Sequence, residues 1–544
     1  MAINRNHFTW KKYHRWVGLV MSVFMLVFCV SGIILNHREF FSWGEVNRSL
    51  LPSSYHIKNF NNGVIKGTLV ADSSGSVLVY GCAGVWLTDR NMSVWLDFNA
   101  GLPKSIDERN IRNVVCSKDG TLWCAALRDV YRYNKGARGW AKVVLPGNDE
   151  RIMDVALGKD SMKVAVLTRS KVYMISISEH HGLSGNTSVA KYGVGQAKVI
   201  PSPVNDAPKT NLFKIVWHLH SGELFGLPGR LVVDAIALIL IILSFTGIVL
   251  FTLPYRMRKL KRLQLKEKMQ QVGKRFACHM KLHNKIGYVT IVLTLWIAVT
   301  GMCLRPPLMV PLVLSKIPLS VGEDGNVWED KLRAIRWDSA HACWLVSTSE
   351  GFMRVDEEME KVPVLLATED CPKLSPMGVT VLEADGKGGW TVGSFRGMYR
   401  WIPRPNNDSS RDGSFKSVIL DYFTNQPSVE TSMIPISDHL VGGYSTDFFD
   451  GKPLVFDFAK GMEDAKGHVM ASRRVTALES TPMSLWNVAL ELHVGRCYAP
   501  FLGPLSDLFV FFSGLLITLV LLSGYIISKR RKQKSKSRKR IKKQ

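Results

Sequence analysis

The chain lacks the short motifs that mark the common hydrolase, nucleotide and zinc sites. No GxSxG, HExxH or P-loop spacing occurs, and no dinucleotide or flavin fingerprint is present. The nine cysteines include no CxxC pair, so we expect buried free thiols, although disulfides would be permitted outside the cytoplasm. Hydrolase chemistry therefore has no support in the sequence, and the chain has no motif for binding its own dinucleotide or flavin.

Acidic residues are almost absent from three basic segments. Residues 1–16, 254–285 and 529–544 carry four, eleven and eleven Lys or Arg residues, against the single acid Glu267. This excess equals the net charge of +25, so the rest of the chain is neutral. Because Lys and Arg beside apolar helices stay in the cytoplasm, the charge indicates topology. We expect the tail to touch anionic lipid and not nucleic acid.

Charge is also scarce in four apolar stretches of about 20 residues, the length that crosses a bilayer. They are Val17–Leu35, Leu231–Leu253, Ile286–Leu304 and Leu505–Ile527. Only Asp234 and Asp507 interrupt them. Backbone polar groups in lipid must bond internally, so these stretches should be helices. We predict an integral membrane α-helical protein with four transmembrane helices and both termini in the cytoplasm, and interpret the first helix as an anchor and not as a cleaved signal peptide.

The predicted domains follow from these helices. They are the N-terminus with helix 1 (1–37), the first half of an extracytoplasmic β domain (38–215), helix 2 with a preceding histidine motif (216–253), a basic cytoplasmic loop (254–285), helix 3 (286–308), the second half of the β domain (309–484), helix 4 with its histidine motif (485–528) and a basic tail (529–544).

The two halves of the chain, residues 1–253 and 254–544, repeat one helix–loop–helix unit. HRWVG at 14–18 recurs as HNKIG at 283–287, and a Ser/Thr-Gly pair follows each at the same spacing. The later helices repeat more loosely. The four pairs are Ser31-Gly32, Thr246-Gly247, Thr300-Gly301 and Ser523-Gly524. Small residues at these positions predict close helix packing, and the duplication predicts a pseudo-two-fold axis along the membrane normal.

Both long loops are rich in short strand-like runs separated by Gly, Asp and Asn. The recurring segments are Ile111–Tyr133, Val379–Trp401 and the weaker copies Ile335–Val355 and Leu69–Leu87. Their period is typical of β-propeller blades. We predict an all-β, propeller-like domain assembled from both loops; two separate sandwich-like domains are the alternative.

Histidines concentrate near the ends of the predicted helices. The seven are His14, His37, His218, His220, His279, His283 and His493. The repeat makes His14 equivalent to His283, and His220 equivalent to His493. A pseudo-two-fold axis would place each pair face to face, as the axial ligands of haem iron require. An alternative stays open, in which a histidine at a membrane boundary only bridges headgroup and backbone.

These four histidines are the predicted cofactor ligands, and the haem iron is the only metal expected. His37, His218 and His279 have no repeat partner and are reserve ligands. Gly18, Gly222, Gly287 and Gly495 lie close to the four in sequence and could leave room for a flat macrocycle. The sequence identifies no catalytic residue.

The segments HRWVG (14–18) and LHSGELFGLPGRL (219–231), with their second-half copies, resemble those of the PepSY-associated transmembrane proteins. The resemblance covers the four helices and their flanks. It implies a protein of the bacterial inner membrane, and some relatives are haem-containing reductases of ferric siderophores. By motif, the haem-side histidines would be His14, His220, His283 and His493. Many relatives carry PepSY modules outside the membrane, whereas this chain has propeller-like segments, which leaves the electron acceptor open.

Two functions remain from these observations. The first is a transmembrane oxidoreductase with one or two haems b, which takes electrons from a cytoplasmic or quinone donor and passes them to an extracytoplasmic ferric siderophore or other ferric complex. An outer-membrane uptake system is a candidate partner. The second is a non-enzymatic, membrane-anchored receptor or scaffold that binds a periplasmic partner. Visible absorbance of the purified protein distinguishes the two.

Overall fold

The computed structural model describes residues 2–71, 75–178, 191–203, 209–318, 326–367, 370–372, 375, 377–386, 388–403, 433–470 and 475–541. The remaining parts of the two long loops, and residues 542–544 of the basic tail, lie outside the described residues. The chain divides into two compact units. A helical unit comprises Met1–Phe41, Lys209–Leu319 and Leu485–Gln544, and a β unit comprises Ser42–Pro208 and Ser320–Ser484. The β unit thus draws on both long loops.

Ten α-helices are present among the described residues. They are α1 (Ala2–Asn36), α2 (Leu212–Ser221), α3 (Gly226–Arg262), α4 (Lys266–Val289), α5 (Ile291–Cys303), α6 (Met309–Leu314), α7 (Thr476–Glu479), α8 (Leu485–His493), α9 (Ala499–Leu502) and α10 (Ser506–Ile541). Single 3-10 turns occupy Arg48–Leu50, Ser53–Tyr55, Glu223–Phe225, Arg496–Tyr498 and Gly503–Leu505.

Three helical segments are long and apolar enough to cross a membrane. They are Trp10–Asn36, Glu223–Arg262 and Arg496–Gln533. The predicted third helix, Ile286–Leu304, is broken in the structure, where α4 and α5 form a pair bent by 68° that could cross a membrane only as one span. At the break, Thr290 Oγ1 donates to the Ile286 carbonyl at 2.9 Å and Thr294 Oγ1 to the Thr290 carbonyl at 3.1 Å. Such back-bonding by threonine bends helices.

The helices of the two halves pack against one another. Helix α1 contacts α3 of its own half and α10 of the other, while α3 contacts α4 and α10 contacts α5. The apolar centre contains Cys29 of α1 and Ile236, Leu240 and Leu243 of α3. The short helix α2 contacts α5, and its repeat equivalent α8 contacts α1. Both short helices therefore pack on a long helix of the opposite half.

Glycines end the two short helices. Gly222 follows α2 with φ +80°, and Gly495 lies two residues after α8 with φ +85°. Positive φ is strained for residues with a Cβ, so glycine suits a helix end of this kind. The start of α2 is fixed by Asn211, whose side chain accepts from the Lys214 N–H at 2.9 Å. Sequence analysis had suggested these two glycines as space for a macrocycle; the structure gives them a backbone role.

The β unit consists of small antiparallel sheets. Five have four strands: β2–β5 (Gly67–Val70, Ser76–Gly81, Gly84–Asp89, Trp95–Asp97), β6–β9 (Asn113–Cys116, Leu122–Ala125, Val130–Asn134, Gly139–Val143), β10–β13 (Ile152–Leu157, Lys163–Thr168, Val172–Ser178, Lys191–Val194), β16–β19 (Leu332–Asp338, Cys343–Thr348, Phe352–Val355, Val364–Leu365) and β20–β23 (Val379–Ala384, Trp390–Ser394, Gly397–Trp401, Met433–Ser437). One has three strands, β24–β26 (Val441–Ser445, Leu454–Asp457, Gly461–Asp464). Strand β1 (Glu45–Val46) pairs with β27 (Met483–Ser484), and in the helical unit β14 (Lys209–Asn211) pairs with β15 (Lys316–Pro318).

The sheets of the β unit are copies of one arrangement. In each of the six larger sheets the strands follow chain order, and the first strands β2, β6, β10, β16, β20 and β24 contact one another in sequence, with β24 also contacting β2. Four first strands carry a register shift near their start. All four recurring sequence segments coincide with strands of these sheets, which confirms the prediction of an all-β domain.

Large aromatic side chains fill the spaces between neighbouring sheets. Trp123, Trp344 and Trp401 are fully buried, each on a second or third strand of its sheet. Trp344 Nε1 donates to the Glu357 carbonyl at 3.1 Å, which satisfies its polar atom. All nine cysteines are free thiols, but only Cys29, Cys124 and Cys371 are buried, so the expectation of buried thiols holds for three of them.

Candidate site: two facing imidazole pairs

The four predicted ligand histidines meet in two pairs inside the helical unit. The ring centroids of His14 and His283 lie 6.2 Å apart with an interplanar angle of 68°. The centroids of His220 and His493 also lie 6.2 Å apart, with an angle of 53°. Each pair joins repeat-equivalent residues from opposite halves of the chain. The pairing expected from the duplication is therefore the pairing in the structure.

Each of the four imidazoles is held through Nδ1 by a hydroxyl. Thr300 Oγ1 lies 3.0 Å from Nδ1 of His220, and Ser31 Oγ lies 2.9 Å from Nδ1 of His493. For the other pair, the corresponding distances are 2.8 Å from Thr246 to His283 and 3.0 Å from Ser523 to His14. We call these four side chains the imidazole-bonded hydroxyls: Ser31, Thr246, Thr300 and Ser523.

All four contacts cross between the halves. The histidines of the first half are bonded by hydroxyls of the second half, and those of the second half by hydroxyls of the first. The two pairs also use the helices reciprocally. Helices α1 and α5 supply the hydroxyls of the His220/His493 pair, whereas α3 and α10 supply those of the His14/His283 pair. Neither half alone therefore contains a complete pair or a hydroxyl-bonded imidazole.

The glycine after each hydroxyl gives the imidazole space. A Cβ on Gly301 would lie 2.8 Å from Cε1 of His220, and one on Gly524 would lie 2.9 Å from Cε1 of His14. The corresponding distances are 3.4 Å for Gly32 and 3.7 Å for Gly247. The Ser/Thr-Gly pairs were predicted as helix-packing positions. Their contacts with the histidines were not predicted. The signal was present, since each half carries such pairs at repeat-equivalent places.

The centroid separation of each pair equals the distance expected for two imidazoles on opposite sides of one metal. A metal–imidazole bond of about 2.0 Å and a distance of about 1.1 Å from nitrogen to ring centre would separate two centroids by about 6.2 Å. Nδ1 of each ring is engaged, and no described residue bonds any of the four Nε2 atoms. Among the described residues, no cluster of three or more His, Cys, Asp or Glu side chains could hold a metal ion.

The reserve histidines do not join these pairs. His37 Nε2 lies 2.5 Å from Asp234 Oδ2, so it is engaged by a carboxylate. The ring of His218 packs edge-on against Trp217 with centroids 5.7 Å apart. Nδ1 of His279 is buried without a hydrogen bond to any described residue. Among the described ring contacts, none of the three faces another imidazole.

The β unit contains a separate buried polar network that joins the two loops. Arg336 of β16 donates to Asp154 of β10 at 2.5 Å, and Asn113 donates to the other oxygen of Asp154 at 3.2 Å. Tyr80 donates to Asn113 at 2.7 Å. Nearby Glu383 is half-buried, and desolvation raises the pKa of its carboxyl to about 7 despite the opposing effect of Arg336.

In the first loop, the basic residue Lys66 also has a shifted pKa. It donates to Asn110 and to the Ile111 carbonyl. Burial, together with repulsion from Arg112, lowers the pKa of its ammonium to about 7. The two groups with shifted pKa values, Glu383 and Lys66, lie in the β unit, and neither belongs to the imidazole pairs.

Comparison with known proteins decides the family. The sequence model of the PepSY-associated TM region matches residues 3–253 and residues 195–531, which together span nearly the whole chain. This chain belongs to the PepSY-associated TM family. The family is one of membrane proteins, so the apolar helices are those of a membrane protein. No curated protein matches the sequence significantly.

Solved structures give only distant likenesses. The extracellular domain of a hybrid two-component system from B. thetaiotaomicron matches with a TM-score of 0.32 and 10% identity, over 73% of this chain and 32% of that one. An extracellular domain described as part of a one-component system from the same organism gives 0.33 and 12%, over 80% and 39%. The Cps50 (Swd1) β-propeller domain of Myceliophteria thermophila gives 0.28 and 11%, over 66% and 71%. The chain spans about a third of the first two structures, and TM-scores this low carry no argument.

Proposed function

We propose that this PepSY-associated TM protein is a haem b-bearing membrane oxidoreductase that passes electrons from one side of the membrane to the other. The observation that carries the proposal is the presence of two facing imidazole pairs, each with its centroids 6.2 Å apart. Two imidazole nitrogens on opposite faces complete six-coordinate haem iron. The porphyrin would supply the four remaining ligands, which agrees with the lack of a larger ligand cluster among the described residues.

The assignment gives the chain two haem sites. His14 and His283 would hold one haem, and His220 and His493 the other. Bound haem supplies one-electron chemistry, while the protein sets the potential through the axial ligands, their hydrogen bonds and burial. Two sites at different levels of one helical unit would form a relay. The donor we propose is a cytoplasmic reductant or a quinol, and the acceptor is an extracytoplasmic ferric complex such as a ferric siderophore.

The direction of the relay depends on membrane topology. We propose four spans in the bacterial inner membrane, with the bent pair α4–α5 acting as the third, and with both termini in the cytoplasm. The three basic segments support this orientation, because they account for the whole net charge of +25. The His14/His283 pair would then lie on the cytoplasmic side and the His220/His493 pair on the outer side.

The β unit would be the extracytoplasmic part, and we infer that it is a closed six-bladed propeller built from both loops. The contact of β24 with β2, after an unbroken series of contacts between first strands, supports closure. The buried Asp154–Arg336 ion pair supports joint folding, because its partners come from different loops. A propeller outside the membrane is a candidate binding surface for the ferric acceptor or for an uptake system.

The test of this function is absorbance spectroscopy of the full-length protein purified in detergent. We expect a Soret band that shifts on reduction with dithionite, followed by reoxidation when a ferric siderophore is added. The matched control is the double variant His14→Ala/His220→Ala, which should be colourless. A colourless wild-type protein that instead binds a stoichiometric periplasmic partner would support the receptor or scaffold function.

A further inference from the structure

Two of the four imidazoles, one in each pair, also lie beside a backbone carbonyl. Nδ1 of His14 lies 3.1 Å from the Val520 carbonyl, three residues before Ser523. Nδ1 of His493 lies 3.1 Å from the Phe28 carbonyl, three residues before Ser31. The motif of hydroxyl plus carbonyl thus occurs once in each pair.

The hydrogens of the four hydroxyls are already committed. Thr300 Oγ1 donates to the Trp296 carbonyl at 2.8 Å, and Thr246 Oγ1 to the Ile242 carbonyl at 2.7 Å. Ser31 donates to the Val27 carbonyl at 2.6 Å, and Ser523 to the Val520 carbonyl at 2.7 Å. A hydroxyl has a single hydrogen, so each oxygen can only accept from the imidazole. The carbonyls beside His14 and His493 can only accept as well. The hydrogen between each imidazole and its hydroxyl must therefore be bonded to Nδ1.

We propose that the imidazole-bonded hydroxyls are positioning residues that fix all four imidazoles as the Nδ1–H tautomer and leave the Nε2 lone pair for the metal. The proposal rests on the proposed haem function and adds to it the residues that set ligand tautomer and orientation. A ligating histidine commonly donates its second ring N–H to a fixed acceptor, which orients the ring and raises its basicity. Since each hydroxyl comes from the opposite half, each haem site depends on side chains of both halves.

The experiment measures hemin affinity for one site at a time in the full-length protein. In a His14→Ala background only the His220/His493 site remains, and Thr300→Val removes the acceptor with little change in shape. We expect a loss of about 10–100-fold in hemin affinity, the range found when such second-sphere partners are removed. Thr300→Ser keeps the hydroxyl and should restore both affinity and the low-spin spectrum.

A matched control lies on the same helix. Thr294 is buried and also donates to a backbone carbonyl, at 3.1 Å, but it bonds no histidine. Thr294→Val should therefore bind hemin as the parent does. Ser31→Ala compared with Ser22→Ala repeats the test on α1, where Ser22 donates only to the Leu19 carbonyl at 2.7 Å.

The outcomes separate this proposal from the function on which it rests. Thr300→Val protein with unchanged hemin affinity and an unchanged spectrum would overturn the positioning role while leaving haem binding intact. An equal loss in Thr294→Val would show a general helix defect and would also overturn it. If the wild-type protein takes up no hemin at all, both proposals are wrong.

Discussion

The two halves of the helical unit differ in helix continuity and agree in how they hold histidine. In the first half, α1 runs unbroken from Ala2 to Asn36 and carries both His14 and Ser31. In the second half, the equivalent stretch is broken at Thr290, between His283 and Thr300, with a bend of 68°. Both pairs nevertheless have their centroids 6.2 Å apart. The equal separation of the two pairs therefore does not require a continuous helix in the second half.

The halves differ a second time in the space beside the rings. The two tightest glycines, Gly301 and Gly524, both belong to the second half, and the two looser ones, Gly32 and Gly247, to the first. Each imidazole pair contains one ring against a tight glycine and one against a looser glycine. The hydrogen bonds between hydroxyls and Nδ1 atoms therefore agree more closely between the halves than the space beside the rings does.

The largest effect should follow from removing an imidazole, which tests the equivalence of the halves. Because His220 and His493 would share one haem, His220→Ala and His493→Ala should each lower the haem content from about two per chain to about one. Haem quantitation on the purified variants is the measurement. His439→Ala in the β unit, where the ring is exposed, is the control. Unequal haem content in the two variants would break the equivalence of the halves.

The next largest effect should expose the difference in glycine clearance. Gly524→Ala places a Cβ 2.9 Å from His14, so we expect a destabilisation of about 1–3 kcal/mol and weakened haem retention. Gly247→Ala places its Cβ at an ordinary 3.7 Å from His283 in the same pair and should be nearly neutral. Thermal melting and haem content of the two variants measure this. Equal behaviour would mean that the rings move freely to accommodate either methyl group.

An effect of the same size, but dependent on pH, is expected in the second half of the β unit. Burial raises the pKa of Glu383 in the second half to about 7. A carboxyl with a raised folded-state pKa loses stability as pH rises from its unfolded value of about 4.5 towards 7, since only the unfolded chain ionises there. Glu383→Gln should therefore stabilise the protein by about 1–3 kcal/mol at pH 8 and have little effect at pH 4.5. Melting curves of the variant at the two pH values measure this change in stability. Stabilisation at pH 4.5 alone would contradict the raised pKa of Glu383.

The smallest effect should come from the helix break itself. Thr290→Val removes the hydroxyl that bonds the Ile286 carbonyl but touches no contact to a histidine. Hydrogen bonds of side chains within membranes contribute about 0.6 kcal/mol on average, so stability should change little. Haem content should equal that of the wild-type protein. Loss of either haem from this variant would show that the bend, and not the hydroxyl contacts, positions the imidazoles.

The two histidine pairs could be predicted from the sequence because the chain contains an internal repeat. Equivalent positions in the two halves predicted that His14 would face His283 and that His220 would face His493, and the structure has both contacts. The strand segments were equally readable, since Asp/Gly turns and alternating apolar residues repeat along both loops.

The break at Thr290 and the role of the hydroxyls could not be read in the same way. Threonine is common in membrane helices, and whether its Oγ1 turns to its own backbone or bends the helix depends on packing. The hydroxyl contacts join residues far apart in sequence and in opposite halves, such as Ser31 and His493. The repeat marked these positions as special without showing what they touch.

The most direct test of the central claim is the haem stoichiometry of the intact wild-type protein, measured as pyridine haemochrome against protein concentration. Two imidazole pairs predict about two haems b per chain. A preparation that is folded and inserted in detergent, yet contains no haem and binds none when hemin is added, would contradict the claim.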